Sequence, residues 1–388
     1  MYDVVISGAG PSGSQCAKLL AKAGYTVALI EKDTKWRKPC GGGLNHHALD
    51  FYPQLRKLNL PKIQGTIMHS ADYHELEFTA EEKSWGSVVD RLEFDNLIRD
   101  VAVDTGANLF DKNVSFDFIL KNQMKVGIKT KSPSGVKEYH GKIIILADGM
   151  SSKLAIRSGL RGKWKTEEIA NAKCAILEGD HYLDEKFVYI YFRSYKGYAW
   201  IFPLGGKKFN IGVYTFAEDN YNFSMKELYQ EFLNNPNIKK LLPSLNYKVI
   251  WSGSYPFPVE GVIEKSLCDD HVMLIGDTGG FVSPISGEGI QHALLSGKIA
   301  AEIAIKALDA EDYSKSMLKQ YKTHPKIKET VRSFKLKLSM RDFFYANQGE
   351  SLNRIFELTQ KDPEFKNQVV DIFMSKSIPS KEFLSKIQ

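Results

Sequence analysis

Tyr2-Asp3-Val4-Val5-Ile6-Ser7-Gly8-Ala9-Gly10-Pro11-Ser12-Gly13 stands at the head of the chain, after Met1, and decides its fold. An apolar run ends in Gly-x-Gly-x-x-Gly, and a helical stretch follows. A second apolar run, Val27-Ala28-Leu29-Ile30, ends on Glu31. Strand, glycine turn, helix, strand and acid in one short unit is the pattern of a dinucleotide site. Gly8 permits the tight turn, Gly10 lets backbone approach a pyrophosphate, and Gly13 lets the helix pack on the strand. The helix N-terminus offers free N–H groups and a favourable dipole to an anion. Glu31 is placed to take a ribose hydroxyl.

The 388 residues are enough for two or three domains with a large core. A content of 43% hydrophobic and 25% charged residues is ordinary for a soluble globular protein. The net charge of +6 suits an anionic cofactor, substrate or membrane surface. It does not point to nucleic acid, because no dense Lys/Arg patch with interleaved aromatics occurs outside the C-terminal region. The 12% of aromatic residues fills either a core or an aromatic-lined pocket. Cys16, Cys40, Cys174 and Cys268 form no CxxC pair, so zinc-finger spacing is absent. No signal-like segment precedes the first strand, and no apolar run approaches about 18 residues. The expectation is a cytoplasmic, monomeric protein with reduced thiols, whose membrane contact is peripheral.

Helical spacing occupies 92–104. Ala107-Asn108-Leu109-Phe110 and Ile143-Ile144-Ile145-Leu146-Ala147 read as strands of the first sheet, with a β-meander between them that turns at Ser132-Pro133-Ser134-Gly135. From 165 to 265 strand follows strand: Ala172–Leu177, Phe187–Phe192, Ala199–Pro203, Asn210–Phe216 and Tyr247–Ser252, broken by a helix over Lys226–Leu233. This predicts an antiparallel layer inserted into an α/β nucleotide domain. The expected division is a discontinuous nucleotide domain over 1–60, 90–160 and 268–310, a substrate domain over 61–89 and 161–267, and a helical, Lys-rich region over 311–388.

Two more motifs join the first. Asp148-Gly149 ends the strand at 143–147. Gly276-Asp277-Thr278-Gly279-Gly280 ends another at 271–276, and Gly287-Glu288-Gly289-Ile290 then opens a long helix reaching Leu308. Asp277 is placed to accept a sugar-alcohol hydroxyl, and the new helix N-terminus offers a second anion or ring-edge site. Each piece alone is an ordinary tight turn. Three in this order point to an extended FAD rather than NAD.

These pieces, with Arg91-Leu92-Glu93-Phe94-Asp95, resemble the para-hydroxybenzoate-hydroxylase-type FAD proteins. Lys38-Pro39-Cys40-Gly41-Gly42-Gly43 and Tyr198-Ala199-Trp200-Ile201-Phe202-Pro203 resemble the geranylgeranyl reductase family in particular, the latter matching its YxWxFP signature. The resemblance runs over about residues 1–300. It departs at Tyr195, where the family often has Pro, and at Gly212-Val213-Tyr214, where it has Gly-x-Gly. Both departures bear on the substrate more than on the flavin.

The resemblance implies FAD contacts from Ser12 at the pyrophosphate, Glu31 at the adenosine ribose, Arg91, Asp277, Gly289 and Ile290. Arg91 would be a fixed cation for phosphate or ribityl oxygens; the plainer reading is a helix-capping or surface Arg. The backbone of Val114 would pair with adenine. Cys40, Gly41 and Gly43 would lie near the isoalloxazine ring. Cys40 is either a small residue in a crowded turn or a thiol beside the reacting alkene, with Arg37 and Lys38 nearby to tune it. Tyr198, Trp200 and Phe202 alternate, so they share one face of a strand. That face is either core or, with Pro203, the aromatic wall of an apolar substrate pocket. His46-His47 lack a third metal ligand at suitable spacing and read as loop residues.

The implied function is FAD-dependent saturation of geranylgeranyl-type double bonds in isoprenoid lipids, with Cys40, Tyr198 and Trp200 at the chemistry. The electron donor is NAD(P)H or a ferredoxin-like protein, since no second GxGxxG is present. The alternatives are an FAD monooxygenase or halogenase on the same scaffold, or a flavin-bearing lipid-binding or electron-transfer protein. The strand motif departs at two positions from the halogenase WxWxIP pattern.

Overall fold

Val4, Val5 and Ile6 are fully buried because the strand Tyr2–Ser7 lies inside a parallel sheet with a neighbour on each side. The computed structural model describes residues 1–81, 86–219, 224–244, 246–345, 349–373 and 380–387. In the first unit (Met1–Arg37, Arg91–Lys165 and Phe257–Phe334), Tyr2–Ser7 pairs in parallel with Gly135–Leu146 on one side and Val27–Ile30 on the other. Val272–Leu274 and Asn108–Phe110 extend the sheet in parallel beyond these two. Strands buried on both faces carry unbroken apolar runs, and Val27–Ile30 and Ile143–Leu146 do so. Helices Pro11–Lys22 and Ile290–Asp309 pack on each other, and Arg91–Asp104 packs on the first of them. Strands Val114–Lys121 and Met124–Ser132 and the start of Gly135–Leu146 form the meander.

The second unit (Lys38–Asp90, Thr166–Pro256 and Lys335–Gln388) holds a seven-stranded sheet. Its order is Lys248–Pro258, Ile169–Glu178, Lys208–Phe216, Gly197–Gly205, Phe187–Phe192, Gly65–His69, Glu75–Thr79. Ile169–Glu178 through Phe187–Phe192 pair antiparallel, and Phe187–Phe192 meets Gly65–His69 in parallel. Leu228, Phe232 and Ile238, from the helices Met225–Asn234 and Pro236–Leu241, cover one face of this sheet. A capping box between Ser224 and Glu227 starts the first of these helices.

The units divide at other positions than the sequence suggests. Residues 38–60 lie in the second unit, where the Cys40–Gly43 turn packs on the strand Gly197–Gly205. The described residues of 311–388 divide between the two units. Leu318, Tyr321, Ile327 and Val331 sit in the core of the first unit, whereas the Tyr345 hydroxyl donates to the Gly197 carbonyl at 3.0 Å in the second. Amphipathic helices here are completed by the nearest open core face, which spacing within 311–388 cannot reveal. The helical expectation at 346–348, 374–379 and 388 lies outside the described residues. Among the described residues no helix is long and apolar enough to cross a membrane.

Candidate functional site

The glycine turn follows directly from the first strand. Gly8 has φ 101°, and its N–H donates to the Ile30 carbonyl at 2.8 Å. Gly10 is the N-cap of Pro11–Lys22 and has no capping side chain, so the first N–H groups of the helix lack an intrahelical partner. The glycines differ in what surrounds them. A Cβ on Gly13 would lie 1.9 Å from the Gly8 carbonyl oxygen, so Gly13 is set by packing. A Cβ on Gly10 would meet nothing within 4 Å. Protein packing does not require Gly10 to be bare, and the open space beside it fits an approaching diphosphate.

Glu31 is engaged with backbone on both oxygens. Oε2 accepts from the Ala9 N–H at 2.8 Å, and Oε1 from the N–H groups of Lys32 and Asp33 at 2.9 and 3.1 Å. The carboxylate thus ties the glycine turn to the end of the second strand. The Glu31 carbonyl accepts from Asn113 N–H at 2.8 Å, which brings Val114 beside it at the start of a strand at the edge of the meander. Val114 is half exposed.

Asp148 follows the strand Gly135–Leu146. Its Oδ1 is enclosed with no hydrogen-bond partner, and burial pushes its carboxyl up to about 6, against the opposing pull of Ser152 and Arg161. Thr278 Oγ1 donates to the Gly149 carbonyl at 3.1 Å, which joins this turn to Gly276–Gly279. A Cβ on Gly289 would lie 3.7 Å from Asp277 Oδ1. Gly289 caps the helix Ile290–Asp309 without a side chain, and Gly287 just before it has φ 64°. Ser12 lies against Gly276, where a Cβ would meet its Oγ at 2.5 Å. Gly8 to Gly13, Asp148, Asp277 and Gly287 to Ile290 therefore all gather beyond the carboxyl ends of the parallel strands, where open α/β sheets bind ligands. The bare Gly10 space, the two uncapped helix starts and the unpartnered Asp148 oxygen fit a dinucleotide.

Arg91 is not the surface residue of the plainer reading. It is buried at the start of its helix, and its Nε and Nη2 donate to the two Asp95 carboxylate oxygens at 3.1 and 2.9 Å. This i,i+4 pair fixes the guanidinium at the start of its helix and offsets part of its charge locally.

In the second unit, strand alternation sorts the aromatic motif. Tyr198, Trp200 and Phe202 share a face, with centroids 6.2 and 6.3 Å apart along the strand. Tyr214 stands opposite Tyr198, with its ring edge-on at 4.6 Å. The other face carries Ala199 and Ile201 into the core beneath Phe232. Pro203 falls on that core side, opposite the buried Phe209, and so does not share the face of Tyr198, Trp200 and Phe202. The Cys40–Gly43 turn packs on this aromatic face: a Cβ on Gly41 would lie 2.7 Å from Phe202 Cε2 and 3.1 Å from Trp200 Nε1, and one on Gly43 3.4 Å from Phe202. Cys40 is half-buried and accepts the Gly42 N–H at its Sγ, 3.4 Å away. Lys38 Nζ lies over the Tyr255 ring at 5.7 Å.

Sequence reasoning misses Asn210. Trp200 Nε1 donates to Asn210 Oδ1 at 2.9 Å, and Asn210 Nδ2 donates to the Cys40 carbonyl at 2.9 Å. Its one signal is a lone amide inside the apolar strand Lys208–Phe216, opposite Phe202. The His46 and His47 rings lie 3.8 Å apart, tilted by 40°, after the Asn45 cap, and among the described residues no three potential ligands gather as a metal site.

A glycine-turn nucleotide domain with a second, antiparallel-sheet unit inserted in it defines a class, the flavin-dependent oxidoreductases. The FAD binding domain family matches residues 1–325, and the chain belongs to that family and, within it, to the geranylgeranyl reductases. It is 34% identical over 331 residues to digeranylgeranylglycerophospholipid reductase 2 of Methanococcoides burtonii, covering 82% of this chain and 79% of that protein. Among solved structures, a geranylgeranyl bacteriochlorophyll reductase-like protein of Thermoplasma acidophilum superposes with TM-score 0.85 at 24% identity, over 95% of this chain and 96% of that one. The flavin-dependent brominase Bmp2 superposes with TM-score 0.73 at 22% identity, over 97% and 100% of the two chains. The cofactor is FAD and the protein is an FAD-dependent oxidoreductase.

Proposed function

We propose that this protein saturates the prenyl double bonds of a geranylgeranyl-type glycerophospholipid. The observation that carries the reading is the face formed by Tyr198, Trp200 and Phe202, against which the Cys40 turn packs. The name of the Methanococcoides relative supplies the substrate class.

Gly10, Ser12 and Gly13 hold the diphosphate of FAD, Glu31 its adenosine ribose and the Val114 backbone its adenine. Asp148, Asp277, Gly287, Gly289 and Ile290 line the remainder, and the Cys40–Gly43 turn serves the ring. When bound and reduced, FAD supplies hydride to one alkene carbon. An isolated alkene is a poor hydride acceptor, so the residues must hold it closely and exclude water. Tyr198, Trp200 and Phe202 do both with apolar ring surface. Cys40, in the turn that packs on this face, delivers a proton from its Sγ to the other alkene carbon. The electrons come from NAD(P)H or a ferredoxin-like protein. The protein acts as a monomer at the edge of the membrane, where its positive charge favours anionic lipid.

The test uses FAD-loaded protein, reduced anaerobically with dithionite, and vesicles of digeranylgeranyl glycerophospholipid. Mass spectrometry is expected to find two hydrogens gained per saturated bond. Oxygen consumption dependent on an aromatic substrate, with no mass gain in the lipid, would instead select the monooxygenase or halogenase chemistry.

A further inference from the structure

We propose that Asn210 is a positioning residue that fixes Cys40 for the reaction, through a relay running from the Trp200 indole to the Cys40 carbonyl. The proposal rests on the reading of Cys40 as the proton donor.

The relay is chemically unambiguous. An indole N–H can only donate and a backbone carbonyl can only accept. The Asn210 amide therefore has one allowed orientation, with Oδ1 toward Trp200 and Nδ2 toward Cys40, and both bonds are 2.9 Å long. Asn210 is 3% exposed, so water does not compete for either bond. Cys40 is held locally as well. Its own Sγ accepts the Gly42 N–H at 3.4 Å, within the same turn. The strand Lys208–Phe216 lies inside the sheet between Ile169–Glu178 and Gly197–Gly205, so Asn210 is a rigid mount for Cys40. Such a mount keeps a proton donor in one geometry through turnover, and small errors of placement lower the rate steeply. The same relay couples Trp200, a wall residue, to Cys40, so the substrate wall and the thiol share one register.

Asn210→Asp separates the two bonds. A carboxylate still accepts from the Trp200 indole but cannot donate to the Cys40 carbonyl. Asn210→Ser is the neutral companion if a buried charge prevents folding. FAD-loaded, full-length variants are compared with wild type in prenyl-lipid reduction. Alkylation of Cys40 by iodoacetamide is followed across pH by peptide mass spectrometry. The expected result is a kcat reduced at least ~10-fold with KM within ~2-fold and FAD occupancy retained. The Cys40 alkylation rate is expected to change at least ~3-fold, with an altered pH profile. Wild-type kcat and a wild-type Cys40 profile in both variants would overturn the assignment. If wild-type protein reduces no prenyl lipid, the proposed function fails, and the alkylation profile alone decides whether Asn210 positions Cys40.

Discussion

Glu31 accepts the Ala9 backbone N–H at 2.8 Å across the glycine turn. The acid assigned to a ribose therefore also holds the turn that would cradle the diphosphate. Glu31→Gln sets an amide donor against one of these N–H groups. Loss of a hydrogen bond to a charged acceptor costs about 1.5–3 kcal/mol, so urea unfolding of the FAD-free variant is expected to shift by that amount. Flavin-fluorescence titration is expected to show at least ~10-fold weaker FAD binding. Lowered stability with unchanged affinity would leave Glu31 only its structural role.

Gly10 and Gly13 separate ligand space from packing space. Gly10 has φ −74°, which any residue adopts, and its Cβ position is open. Gly10→Ala is expected to cost the FAD-free protein less than ~1 kcal/mol, the scale of a weakened N-cap. It should still abolish measurable FAD binding, because the new methyl occupies the diphosphate path. Gly13→Ala places a methyl 1.9 Å from the Gly8 carbonyl oxygen. Overpacking of this kind costs ~1–3 kcal/mol or more, so that variant should lose stability as well as FAD. Thermal melts without flavin, paired with flavin titrations, compare the two.

Arg91 and Asp95 form a buried pair, with side chains 4% and 8% exposed. Arg91→Ala strands the Asp95 carboxylate and is expected to cost about 3–5 kcal/mol. The double substitution Arg91→Leu with Asp95→Leu should recover most of that loss. If Arg91 serves as the anchor described here, the double variant keeps FAD affinity within ~3-fold of wild type. A loss of binding in the double variant with stability restored would return Arg91 to the role of phosphate cation.

The nucleotide end was legible because its information is local. Strand, turn, helix and acid fall within Tyr2 to Glu31, and each step has a steric or dipolar reason. The shared face of Tyr198, Trp200 and Phe202 was legible through strand alternation, and the same alternation puts Pro203 on the opposite face. The Arg91–Asp95 pair stands at i,i+4 spacing, a local signal for mutual pairing. The Asn210–Cys40 bond joins residues 170 positions apart, and no period or motif encodes it. The placement of residues 38–60, and the parting of 311–388 between two cores, likewise depend on which apolar surfaces meet in space. Composition and spacing do not carry that information.

Asp148 gives the protein a pH signature of its own. Burial raises its carboxyl from an ordinary 3.8 to about 6, with Ser152 and Arg161 opposing. Between about pH 4 and pH 6 the folded state then binds a proton that the unfolded chain has released, so stability falls as pH rises through that window. Above it the penalty stays constant. A shift of this size corresponds to the order of 2–3 kcal/mol. Asp148→Asn cannot ionise and is expected to remove this slope. The variant should match wild type near pH 4 and exceed it at pH 8 in the absence of FAD. Urea midpoints measured across that range, with flavin stripped, give the comparison. A wild-type-minus-variant difference that does not change with pH would mean that the Asp148 carboxylate is already compensated in the folded protein, and the unpartnered Oδ1 would then need another explanation.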